Sequence, residues 1–292
     1  MTHGGALLRA HIAVFFMGIA AVLAEASGFE AWRTTSYRVT FGGIMLLGLL
    51  LIRERRRVDP KKCLLFLAMG LLLSVHWFAF FRSIELLGVM LGSAMLGFEP
   101  VVIALAARVL LKERVNRKTK IAMGVSLLGF VALGLGGNET NGQIMAGVAW
   151  SIFAFLLFAI LVAVNRSWVK ADGGGGSPLL LTTLEMLGAI PLSVAMTDGT
   201  WLPATPQSWA FALTLGLLCT GLAYAFYNAS MKVLSASVVG LLLSMEVVYG
   251  LLGGRIIGDN LTPLQWLATV LISNILLLDL WAYVKTRKKI SP

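Results

Sequence analysis

Long apolar runs alternate with short polar breaks along almost the whole chain. The runs fall at about residues 7–25, 33–52, 62–84, 89–111, 119–136, 144–165, 178–196, 207–230, 235–257 and 263–284. A helix needs roughly 20 predominantly apolar residues to cross a bilayer. The pattern therefore predicts ten transmembrane helices, spans 1 to 10, with no room for a soluble domain between them. Because backbone polar groups find no water in lipid, each run must satisfy its own hydrogen bonds, and helices do so.

Composition agrees. Of 292 residues, 58% are hydrophobic and 13% charged, and mean hydropathy is +0.85. Soluble domains carry about 25% charged residues, so this much apolar side chain calls for an apolar solvent. The net charge of +10 would suggest nucleic acid in a soluble protein. Here Lys and Arg gather at span ends, which is a topology signal, and nucleic acid is not an expected partner. Arg53, Arg55, Arg56, Arg57, Lys61 and Lys62 lie between spans 2 and 3. Lys112, Arg114, Arg117, Lys118 and Lys120 lie between spans 4 and 5, Arg166 and Lys170 between spans 6 and 7, and Lys232 ends span 8. Lys285, Arg287, Lys288 and Lys289 form the tail. All fall on one side if both termini are cytoplasmic, whereas 136–143 and 197–207 hold no Lys or Arg. The reading is a multi-pass protein of the cell inner membrane. Cys63 and Cys219 show neither disulfide nor metal spacing. Ala24-Glu25-Ala26 mimics a signal-peptidase site, but cleavage there would break the repeat described next.

Set against itself at an offset of 147, the sequence matches. Leu96-Gly97-Phe98-Glu99 faces Leu243-Ser244-Met245-Glu246, Arg108 faces Arg255, Ser83 faces Ser230, and Ser126 faces Ser273. The aromatic pair Trp77, Phe80 faces Tyr224, Tyr227. Residues 1–140 and 141–292 thus read as two five-helix repeats. Five is odd, so the second repeat enters the membrane from the opposite side. Lys112-Glu113-Arg114 faces Asp259-Asn260-Leu261, losing its basic charge where inversion places it outside. Inverted repeats are a recurrent design of secondary transporters, whose substrate sites lie near the midplane between the halves.

Arg38 in span 2, His76-Trp77 in span 3, Glu99-Pro100 in span 4 and Lys112-Glu113-Arg114 at its end together resemble the drug/metabolite transporter superfamily, specifically its ten-helix EamA-type exporters. The second half departs from the pattern at Val247 and Asn260. The resemblance implies a basket of helices, with spans 1–4 and 6–9 around a central cavity and spans 5 and 10 outside, where they are candidates for a homodimer contact. It implies export of a small metabolite, amino acid or drug by alternating access, without ATP hydrolysis; no cofactor or metal is expected. A channel or facilitator is the alternative, and a membrane enzyme a more distant one, since His76 has no evident partner nucleophile.

Charges at membrane depth are costly and mark functional candidates. Glu99 and Glu246 lie about midway along spans 4 and 9 and form a symmetric pair for a cationic group or a proton. Glu185 in span 7 and Arg38 in span 2 add opposite charges, with Arg38 a candidate to neutralise a carboxylate or hold one on the substrate. His76 suits proton exchange or plain packing. Trp77 and Phe80 on span 3, Tyr224, Tyr227 and Asn228 on span 8, and Tyr249 beside Glu246 are candidate walls for an apolar or cationic substrate.

Overall fold

The computed structural model describes residues 3–53, 60–110, 112, 117–134, 141–171, 177–231, 233, 234, 242, 243 and 245–274. Arg55, Arg56, Arg57, Lys232, Ser244, the Gly-rich stretch before Ser177 and the basic tail lie outside them. Every regular element in the described residues is helical.

The order is α1 (His3–Ser27), α2 (Ala31–Arg53), α3 (Pro60–Leu87), α4 (Val89–Met95), a 3₁₀ turn (Leu96–Phe98), α5 (Glu99–Leu110), α6 (Arg117–Gly134), α7 (Asn141–Ala171) and α8 (Pro178–Ala195). Span 8 follows as α9 (Pro206–Leu213), a π segment (Thr214–Leu222) and α10 (Ala223–Met231), and then α11 (Met245–Ile256) and α12 (Pro263–Ile272). Seven of the described helical stretches are long and apolar enough to cross a membrane: Gly4–Ser27, Ala31–Arg53, Pro60–Leu87, Val89–Leu110, Gly142–Asn165, Pro178–Ala195 and Pro206–Ser230. Lys120–Leu133 and Pro263–Ile272 are shorter apolar helices. Parts of predicted spans 9 and 10 lie outside the described residues.

Local chemistry sets several helix starts. Ser177-Pro178, Thr205-Pro206 and Thr262-Pro263 each put a hydroxyl at the cap and proline at the first helical position. Ser177 Oγ accepts from Leu180 N at 3.2 Å, and Thr205 Oγ1 from Ser208 N at 3.1 Å. Thr262 and Gln265 cap reciprocally, at 3.3 and 2.9 Å. Proline there lacks only an N–H that the helix would leave unpaired. Pro100 does the reverse inside span 4. Its ring displaces the Leu96 carbonyl one turn back, and the chain takes a 3₁₀ turn over Leu96–Phe98 before resuming as α5.

Packing places α2 and α3 at the centre. α3 lies along α7 and α8, and α2 along α8 and the π segment. α1 packs on α10 and α11, α4 on α11, α5 on α7, and α6 on α12. The last pair is the predicted spans 5 and 10, which meet each other within the chain. There Ser126 Oγ donates to Ile272 O at 3.2 Å, and Asn274 Nδ2 donates to Ser126 Oγ at 3.1 Å. α4 and α11 meet through small residues, since Gly250 and Gly254 let Ser93 and Met90 close in. Large apolar side chains remain on the outside, among them Ile52, Leu64, Val109, Leu127, Leu252 and Val270. On a membrane protein such a surface faces lipid.

Candidate functional site

α2 carries the most deeply enclosed polar run. Thr34, Thr35, Ser36, Tyr37, Arg38 and Val39 are buried in succession, so the helix is covered on every side there. That enclosure needs close neighbours. A Cβ on Gly42 would lie 2.6 Å from Thr220 Cγ2 and 3.0 Å from the Gly216 carbonyl, so glycine is what lets α2 approach the π segment.

Arg38 occupies the resulting seam. Its Nε donates to Thr220 Oγ1 at 2.9 Å, and Nη2 reaches the Cys219 carbonyl at 3.4 Å. On the other side its Cζ lies 4.1 Å from the Trp77 ring centroid and 5.3 Å from that of Phe81. In a site this dry, ring faces partly replace the water a guanidinium loses. The π segment supplies the polar half of the cage. Thr220 Oγ1 donates to Leu215 O five residues back, at 2.9 Å, following the wider π turn. Such turns break the usual carbonyl register and are common at functional sites. Arg38 makes no ion pair among the described residues. Arg38 and Glu185, read from the sequence as opposite charges in one cavity, make no ion pair with each other. Glu185 Oε1 instead accepts from Asn165 Nδ2 on α7, at 3.0 Å.

Glu99 and Glu246 are half-buried, Glu99 as the first residue of α5 and Glu246 in the first turn of α11. They stand near enough for their charges to interact, with Tyr227 near both. Tyr224 stands among Arg38, Glu246, Tyr227 and Glu185, and its ring lies 6.3 Å from that of Trp77. Arg38, Tyr224, Glu246, Tyr227 and Glu99 thus follow one another as a lane of polar and aromatic residues within electrostatic reach, with Glu185 beside it. This lane can accept a cationic or hydrogen-bonding group at its carboxylates and an anionic one at Arg38.

The other candidates are held elsewhere. His76 Nδ1 lies 2.8 Å from Ala154 O, and its ring stacks on Phe158 at 4.9 Å. A carbonyl partner requires a donor, so Nδ1 carries the proton and the contact ties α3 to α7. Phe80 packs edge-on to Phe81 at 5.5 Å, while Phe81 is the ring that joins Trp77 over Arg38. Tyr249 meets Phe15 of α1 at 5.3 Å. Asn228 Nδ2 makes long contacts to Thr182 Oγ1 at 3.4 Å and Pro178 O at 3.5 Å. Sequence reasoning missed Thr220, Phe81 and Asn165. The first two gave no signal, because Phe81 sits in a run of aromatics and Thr220 in a run of Leu and Gly. Asn165 was legible only as a polar residue closing an apolar run. Among the described residues, no three His, Cys, Asp or Glu side chains are placed to hold a metal ion.

Bilayer-length helices around a buried polar lane define the class, a multi-pass membrane protein built to handle a solute. The chain belongs to the EamA-like transporter family, whose pattern matches residues 5–135 and again 149–278, and it is a transporter. It is similar to the Bacillus subtilis protein "Uncharacterized transporter YwfM", 26% identical over 267 residues that cover 89% of this chain and 88% of that one. The Escherichia coli "Inner membrane protein YtfF" is 22% identical over 254 residues, 78% of this chain and 77% of that protein. A match to "Uncharacterized transporter YxxF" of Bacillus subtilis, at 23% identity, spans 62% of this chain and only 57% of that protein's length. A crystal structure of another protein superposes with a TM-score of 0.65 over 99% of this chain and 100% of that chain, at 17% identity, which shows a shared fold.

Proposed function

We propose that the protein is a secondary transporter that exports a small metabolite, amino acid or drug-like molecule across the cell inner membrane by alternating access. The reading takes ten helices in two inverted five-helix repeats, with both termini cytoplasmic. Three things support it: the internal match at an offset of 147, the two successive family matches, and the E. coli relative named as an inner membrane protein. The carrying observation is the neighbouring of Glu99 and Glu246 with Tyr227. Two carboxylates, one from each half, near enough for their charges to interact, can hold one cationic group or exchange one proton as the halves rock. Arg38, which makes no ion pair among the described residues, is the complementary anchor for an anionic group.

The test is flux into proteoliposomes of a panel of labelled amino acids and organic cations, with and without a pH gradient. The Glu99→Gln, Glu246→Gln double variant is expected to lose flux at least tenfold and to lose any dependence on the gradient. Unchanged flux and unchanged pH response would remove both carboxylates from the mechanism.

A further inference from the structure

Where α1 ends and α2 begins, a cavity of about 270 Å³ opens to the surface. Its walls include Glu25, Glu30, Thr34, Phe81, Ile84 and Glu85. Glu25 and Glu30 are exposed at its mouth, whereas Phe81 and Ile84 are only 2% and 1% exposed and close it at depth. Phe81 therefore lies between the cavity and the Arg38 cage. One side of its surroundings is the cavity, and on another side the Arg38 guanidinium lies 5.3 Å from its ring. Trp77, one turn earlier on α3, takes the same cation at 4.1 Å.

We infer that Phe81 is a gating residue of the transport pathway, separating this cavity from the lane that begins at Arg38. The inference rests on the proposed pathway past Arg38 and Tyr224. Three features make Phe81 the barrier. It is the aromatic ring shared by the cavity and the Arg38 cage. Its attraction to the guanidinium holds it over the lane. Ile84, three residues on, wedges against Gly92 of α4 and closes the gap beside it. Opening toward this face requires the Phe81 ring to leave Arg38, so release of the gate and exposure of the cation are one event. Phe80 is the internal contrast. It adjoins Phe81 and has the same size, but no contact with Arg38 and no place in the cavity wall.

Thiol accessibility tests this without knowledge of the substrate. In the full chain carrying Cys63→Ser and Cys219→Ala, Tyr224→Cys reports on the lane and Glu30→Cys on the cavity mouth. The probe is a membrane-impermeant cationic methanethiosulfonate applied on the cavity side of oriented vesicles. Glu30→Cys is expected to label rapidly in every background. Tyr224→Cys should label slowly with Phe81 present and at least tenfold faster with Phe81→Ala. Phe81→Leu, which keeps an apolar plug without a ring face, should give a smaller rise, and Phe80→Ala none. Size-exclusion profiles in detergent confirm that each variant is folded. The gate is overturned if Phe81→Ala leaves the Tyr224→Cys rate unchanged, or if Phe80→Ala raises it equally. Slow labelling with Phe81→Ala from this side but rapid labelling from the other overturns the gate alone. A Tyr224→Cys that the probe reaches from neither side overturns the pathway as well.

Discussion

Pro60–Leu87 and Pro206–Met231 are set against each other by the internal match, yet their backbones differ. The first is one unbroken α-helix. The second passes through nine residues of π-helix between two α-helical pieces. Both reach the same side chain. The regular helix offers Arg38 two ring faces, Trp77 and Phe81, and the π segment offers a hydroxyl and a carbonyl. The position matching Thr220 on the regular helix is Leu73, a core residue. The two helices have thus divided the work of burying one cation: α3 desolvates it, and the π segment bonds it. A buried charge is tolerated only when its donors find partners, and the departure from regular helix is what turns partners toward Arg38.

Substitutions on the two sides of this cage should separate those contributions, measured as unfolding free energy in mixed micelles. Trp77→Ala carries the largest effect, a loss of about 4 kcal/mol, because it removes a buried aromatic and uncovers the guanidinium. The matching Tyr224→Ala, on a half-buried residue, should cost clearly less; equal losses would mean the two helices contribute alike here. Gly42→Leu comes next, at about 3 kcal/mol, since its side chain would meet Thr220 and the Gly216 carbonyl and push α2 off the π segment. Thr220→Val keeps the shape but strips the acceptor from Arg38 Nε, for a loss of about 2 kcal/mol. A neutral result there would assign the cage to its rings alone. Gly48→Ala, with open space around it on the same helix, should change stability by no more than about 1 kcal/mol, in the stabilising direction.

Near its ends the same pair of regions is less asymmetric. Ser83 Oγ donates to Phe80 O at 2.7 Å, and its counterpart Ser230 Oγ to Phe226 O at 2.8 Å, each back into its own helix. Ser230 additionally reaches Ala6 O of α1 at 3.0 Å. The two helices diverge in the middle, where Arg38 must be accommodated, and agree where each only needs to satisfy itself.

Apolar run length fixed the helices that cross, because in lipid a segment must close its own backbone hydrogen bonds whatever it packs against. Ser-Pro and Thr-Pro pairs fixed the starts of α8, α9 and α12 for an equally local reason, a hydroxyl reaching a backbone N–H three residues on. Depth along each span picked out Arg38, Glu99, Glu185 and Glu246 as unusual, since any charge there is costly. Their partners were beyond local reach. Arg38 bonds Thr220, 182 positions away, and Glu185 bonds Asn165 on another helix, where charge alone pointed to Arg38 and Glu185 together. Phe81 rather than Phe80 covers Arg38 because of how α3 is rotated against α2, which neighbouring helices decide. Tertiary packing alone set these pairings: a side chain's partner depends on how closely two backbones come, and at Arg38 that approach is granted by Gly42 against Thr220 and by Gly216 against Phe41 across the seam.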